Sequence, residues 1–162
     1  MNRVGDLFAH FEPSPLTASW PLSECHSRFD LGCHFEWDDA EAFSPSLDDH
    51  ALALQGIGVW DCDLGDNALT WSDGVYDLFG LPRGVPVRRE TAVGLYEEGS
   101  RSAMERLRAY AIRHRRGFTL DVDIRPANGG VRWVRLLGAP ICVNSRPVRL
   151  RGLKYDVTQQ YS

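Results

Sequence analysis

The sequence predicts an α+β domain built around an antiparallel sheet and preceded by an acidic arm. Three observations carry this. From residue 46 onward, strand and helix signals run in the order two strands, helices, three strands. The last three strands are joined by hairpin signals, and the first of them alternates apolar and polar residues. The 162-residue chain is 43% apolar and 25% charged, which is ordinary globular usage for one domain with a tail left over. A wholly disordered chain and a fibrous repeat are thereby excluded. No stretch approaches the roughly 18 apolar residues that a membrane helix needs. The first twenty residues hold two prolines and two acids and form no signal-peptide core.

Residues 1–46 include Pro13, Pro15, Pro21 and Pro45 and show no sustained helical or strand period. Rings at Phe8, Phe11, Trp20, Phe35 and Trp37 interrupt this arm, and a purely solvated tail has little use for them. The arm is therefore expected to dock on a surface, its own sheet or that of a dimer mate. Ser46, followed three residues on by Asp49, reads as a helix start, and Leu47, Ala51 and Leu54 share one helical face. Gly56 and Gly58 end that helix. Ile57–Leu64 and Ala68–Trp71 read as strands about a Gly65-Asp66-Asn67 turn, and Ser72 caps a helix that runs to Phe79 and stops at Gly80. Pro82, Gly84 and Pro86 mark a loop.

Ser102 and Glu105 form a capping-box signal for a long helix with Met104, Leu107 and Ala111 on its buried stripe and Gly117 as its expected terminator. Phe118, Leu120, Val122 and Ile124 then alternate with Thr119, Asp121, Asp123 and Arg125. Asn128-Gly129-Gly130 turns the chain into strands Val131–Val143 and Val148–Val157.

Charge is unevenly spread. Residues 1–50 carry two basic residues against ten acids, whereas residues 51–162 carry sixteen against twelve, for a total of −4. Opposite signs draw the arm to its own domain or to a basic partner. The mild basic excess of the domain argues against a nucleic-acid partner. The four cysteines, at 25, 33, 62 and 142, contain no Cys-x-x-Cys and point to a reducing cytoplasm.

Gly56-Ile-Gly-Val-Trp-Asp-Cys-Asp-Leu64, Leu69-Thr-Trp-Ser-Asp-Gly-Val-Tyr-Asp-Leu-Phe-Gly-Leu81 and Gly130-Val-Arg-Trp-Val-Arg135 with Tyr155-Asp-Val-Thr158 together resemble a PAS sensor domain, in the subfamily that opens Gly-x-Trp-x-x-Asp-Leu and closes on a PAC-type motif. The resemblance covers residues 47–158. It implies a PAS fold, a five-stranded antiparallel sheet in the order 2-1-5-4-3 with helices on one face and a cavity between them. Residues 1–46 then form an N-terminal arm and 159–162 a short tail. Because only four residues follow the terminator, a stand-alone protein is expected. It would be a cytoplasmic, non-catalytic regulator of bacterial two-component signalling. It would bind a partner such as a sensor histidine kinase, with or without a small ligand, and form a homodimer through Leu47, Ala51 and Leu54. A small α+β pocket enzyme and a pure interaction module with a filled core remain open as alternatives.

The cavity candidates, as lining or as core, are Trp60, Tyr76, Phe79, Met104, Leu120, Val122 and Trp133. Haem is disfavoured because His114 sits among Arg113, Arg115 and Arg116, a solvated setting. A flavin adduct is disfavoured because no Asn-Cys-Arg-Phe run is present, and Cys62 and Cys142 read as buried thiols. Cys25-His26 and Cys33-His34 have zinc-like content but fit no standard spacing, so no metal is expected. Asp61 with Asp63, and Asp121 with Asp123, read as solvent-side pairs rather than catalytic carboxylates.

Overall fold

The structure is a computed structural model that describes residues 18–30 and 40–161. Strands β1 (Ser19–Pro21), β2 (Ile57–Asp63), β3 (Leu69–Trp71), β4 (Arg116–Ile124), β5 (Arg132–Val143) and β6 (Arg146–Asp156) form one sheet in the order β1-β4-β5-β6-β2-β3. Every pairing is antiparallel. The expectation of a five-stranded sheet is thereby corrected to six strands; β2 to β6 keep the relation 2-1-5-4-3 among themselves, and β1 extends the sheet at the β4 edge. A three-residue strand from the arm occupies the edge of β4, pairing Ser19, Trp20 and Pro21 with Phe118, Gly117 and Arg116.

Alternation along the strands gives the sheet two dry faces. On the inner face, Trp60, Trp71, Phe118, Leu120, Val122, Ile124, Val134, Leu136 and Leu150 pack beneath helices α3 (Asp73–Phe79), α4 (Arg89–Gly94) and α5 (Glu98–His114). On the outer face, Val59, Leu137, Ala139, Ile141 and Leu153 form a second core. It is covered by Trp20, by Cys25 of the short helix α1 (Cys25–Arg28), by Phe29 and by Leu52 of α2 (Leu47–Ala53).

Within residues 18–30 of the arm, Trp20 holds the chain to the sheet. Trp20 is buried against Phe29 edge to face, and its indole N–H donates to Thr119 Oγ1 at 3.0 Å. Gly117 is its seat, since a Cβ there would lie 2.1 Å from the Trp20 ring. This corrects the reading of Gly117 as a helix terminator. The helix ends instead at Arg115, which takes the left-handed conformation at φ 53°. Its start moves as well, from Ser102 to Glu98, because the Glu97 carboxylate accepts from the N–H groups of Gly99 and Ser100. Phe8, Phe11, Phe35 and Trp37 lie outside the described residues.

Asp61 is not on a solvent side. It is fully buried beneath the outer cover, with Arg149 donating to its Oδ1 at 2.6 and 2.8 Å and Arg151 to its Oδ2 at 2.9 Å. Arg151 also donates to the Glu41 carbonyl at 2.6 Å, tying the chain just before α2 to the sheet. Asp63 stays partly exposed near the turn, where its Oδ1 accepts from the Gly65 N–H at 2.7 Å.

Candidate functional site

Inner-face packing leaves a gap between β2, β3 and β6 below and α4 and α5 above. The floor is set by Trp60, whose indole lies across the sheet in the row Trp60, Gly152, Gly138, Phe118. A Cβ on Gly138 would stand 2.6 Å from that ring, so the glycine lets the indole lie flat. Its N–H donates to the Leu137 carbonyl at 3.2 Å, which fixes the ring's direction. Leu69, Trp71, Tyr96, Met104, Phe118 and Leu136 complete an apolar wall around a cavity of about 50 Å³. At roughly 10–15 Å³ per water-sized position, such a space holds only a few heavy atoms.

The remaining wall is cationic. Lys154, near the C-terminal end of β6, is 6% exposed and points into the cavity beside Cys62, Arg89 and Arg108. It is the only lysine in a chain with seventeen arginines. Its ammonium faces the rings of Phe79 at 4.8 Å, Trp60 at 5.4 Å, Trp71 at 5.7 Å and Tyr96 at 5.8 Å. Among the described residues it has no hydrogen-bond or ion-pair partner. Burial lowers its pKa to about 7; the Cys62 thiol group opposes that shift and Arg89 adds to it.

Arg89 is paired with Glu105. Arg108 has no carboxylate partner among the described residues; it donates to Asn67 Oδ1 at 3.1 Å and approaches Cys62 Sγ at 4.0 Å. Burial pushes the Cys62 thiol up, and Arg108 offsets part of the rise. Burial also raises Tyr96 well above the usual phenol range. No described wall residue is Asp or Glu. The site therefore carries excess positive charge in an aromatic box.

No family model and no curated protein matches the chain. Solved structures do. One is the N-terminal domain of a diguanylate cyclase with a PAS/PAC sensor from Marinobacter aquaeolei, at 15% identity over 65% of this chain and 99% of that one, with a TM-score of 0.59. Another is a sensory box histidine kinase/response regulator from Burkholderia thailandensis, at 18% identity over 72% and 88%, with a TM-score of 0.60. A third is the PAS domain of a protein from Colwellia psychrerythraea, at 19% identity over 70% and 98%, with a TM-score of 0.55. The fold is that of a PAS sensor domain.

The PAS fold gathers some of the expected cavity residues and sets others apart. Trp60 and Met104 line the gap. Tyr76, Phe79, Leu120 and Val122 belong to the core around it. Trp133 is set elsewhere: odd positions of β5 face outward, and its ring stacks on Tyr161 at 4.2 Å. Leu47, Ala51 and Leu54 lie exposed on and just beyond α2. His114 is exposed and packs on Tyr110 at 4.3 Å. Cys25 is buried while the adjacent His26 is exposed, and Cys33-His34 lies outside the described residues. Lys154, Arg89, Arg108, Tyr96 and the cavity role of Cys62 escape sequence reasoning, although a lone lysine among arginines was a visible signal. No helix among the described residues is long and apolar enough to cross a membrane.

Proposed function

We propose that this chain is a non-catalytic PAS signalling domain. In this reading it takes a small ligand between sheet and helices and passes its state to a partner such as a histidine kinase in the cytoplasm. The observation that carries the ligand half is the cavity with an unpartnered buried ammonium. A core that only needed filling would gain by placing an apolar side chain at that position. Support for the signalling half comes from the architecture, shared with domains of a histidine kinase and a diguanylate cyclase.

The homodimer belongs to the same reading. Leu47 and Leu54 are 85% and 88% exposed on the side of α2 turned from the core, a self-complementary patch for two-fold pairing. The arm takes the sheet face that a partner would otherwise use. A thermal-shift screen of the purified chain against small metabolites is expected to yield a stabilising compound, and light scattering a dimer. The proposal fails if no compound shifts the melt and the chain binds no signalling kinase with or without residues 1–46.

A further inference from the structure

Three features ask for an explanation that the fold itself does not supply. The chain's single lysine is buried in the cavity with all three of its N–H donors unclaimed among the described residues. Arg108, on the facing helix, meets an amide oxygen and a sulfur and no carboxylate among the described residues. The rest of the wall is aromatic and aliphatic apart from Cys62, Met104 and Arg89, and Arg89 is already paired with Glu105.

An uncompensated cation is costly in such a setting unless something arrives to balance it. The four rings around Lys154 satisfy the ammonium in part through their faces, but they neutralise no charge. The group that would complete the site is an acceptor carrying negative charge and small enough for about 50 Å³. Trp60, Trp71 and Phe118 leave flat apolar surface beside the ammonium, which suits a short hydrocarbon tail better than a fully hydrated inorganic ion. Resting on the sensor reading above, we propose that the cavity binds a small monocarboxylate of two or three carbons. Lys154 is its charge partner, and Arg108 is the second donor at the rim.

The assignment couples binding to a proton. The wall around Lys154 carries Cys62 from β2, Arg89 from α4, itself paired with Glu105 of α5, Tyr96 before α5, and Arg108 from α5. Cys62 and Tyr96 are both shifted upward and stay protonated near neutrality, so they supply no anion there. Burial brings Lys154 to about 7, and a bound carboxylate favours its charged form. Between pH 7.5 and the raised pKa of Lys154 in the complex, affinity then falls by up to about tenfold per pH unit, with uptake of up to about one proton on binding.

The test is calorimetric titration of the full chain with acetate and pyruvate at constant ionic strength in chloride, in two buffers of different ionisation heat. Nitrate and acetamide serve as inorganic and neutral controls. Saturable carboxylate binding is expected, with the stated pH slope and proton uptake, tighter than nitrate and absent for acetamide. Lys154→Met should abolish it while the chain stays folded, and Arg108→Gln should weaken it at least tenfold. Unchanged binding in Lys154→Met, or no saturable carboxylate binding in the wild type, overturns the assignment. Acetamide binding as well as acetate overturns the charge argument and leaves the sensor reading intact. Failure of every small molecule, charged or neutral, removes the ligand half of that reading as well.

Discussion

Replacing Lys154 with methionine keeps an unbranched side chain one atom shorter against the rings, and removes the charge. The folded-state pKa of about 7 lies below the open-chain value of 10.5. At pH values between the two, the unfolded chain holds the proton and the folded chain does not, so wild-type stability rises with pH across this window. Below pH 7 the cost of the buried charge is present in full. At about 1.36 kcal/mol per pH unit, that cost is about 5 kcal/mol at pH 6 and about 2 kcal/mol at pH 9. Lys154→Met should therefore be the more stable protein. Its advantage should shrink by about 3 kcal/mol from pH 6 to pH 9, roughly 6–12 °C in melting temperature for a chain of this size. Cys62 and Tyr96 destabilise the fold at higher pH, but they are present in both proteins and cancel in the difference. Paired urea melts in carboxylate-free buffers measure it. An advantage that does not change with pH would mean that the rings keep the ammonium charged throughout, and a variant less stable at pH 6 would mean that the charge stabilises the fold.

Gly117→Val places a side chain where the Trp20 ring lies, so the arm strand should leave the edge of β4 while the domain stays folded. The loss is one buried tryptophan, on the order of 1.5–3 kcal/mol, read as faster hydrogen exchange over residues 18–30; exchange unchanged from wild type would refute the docking. Asp61→Asn leaves Arg149 and Arg151 without their shared carboxylate under a dry cover and should cost about 3–5 kcal/mol by denaturant melt. A cost under about 1 kcal/mol, typical of an exposed pair, would count against that burial. Leu47→Glu with Leu54→Glu should convert the expected dimer to monomer by light scattering without changing the melt of the monomer, since neither side chain is buried.

Much of the fold was legible where one residue type could serve only one purpose. The alternation of Phe118, Leu120, Val122 and Ile124 is a strand with one dry face, and all four are buried. Asn144 and Ser145 turn β5 into β6, both with positive φ, within the turn expected there. Other elements were hidden by ambiguity of role. A three-residue strand has no period to detect, so β1 was invisible, and Gly117 was credited to the helix before it rather than to the indole above it. Ser102 and Glu105 resemble a helix start, but Glu97 caps the helix first. The six-residue α4 carries too few turns to show a stripe. For the site, the apolar half was readable and the polar half was not. Lys154, Arg89 and Arg108 come from three separated elements, and only the closed fold turns them toward one gap.

A chain with one lysine offers a direct reading of that gap. With lysine labelled at the carbon next to its amine, NMR gives a single side-chain signal to follow against pH. The account predicts a titration midpoint near 7 in the empty protein, and a rise of at least one pH unit when acetate saturates the cavity. A midpoint near the open-chain value of 10.5, or one near 7 that acetate leaves unmoved, would contradict it.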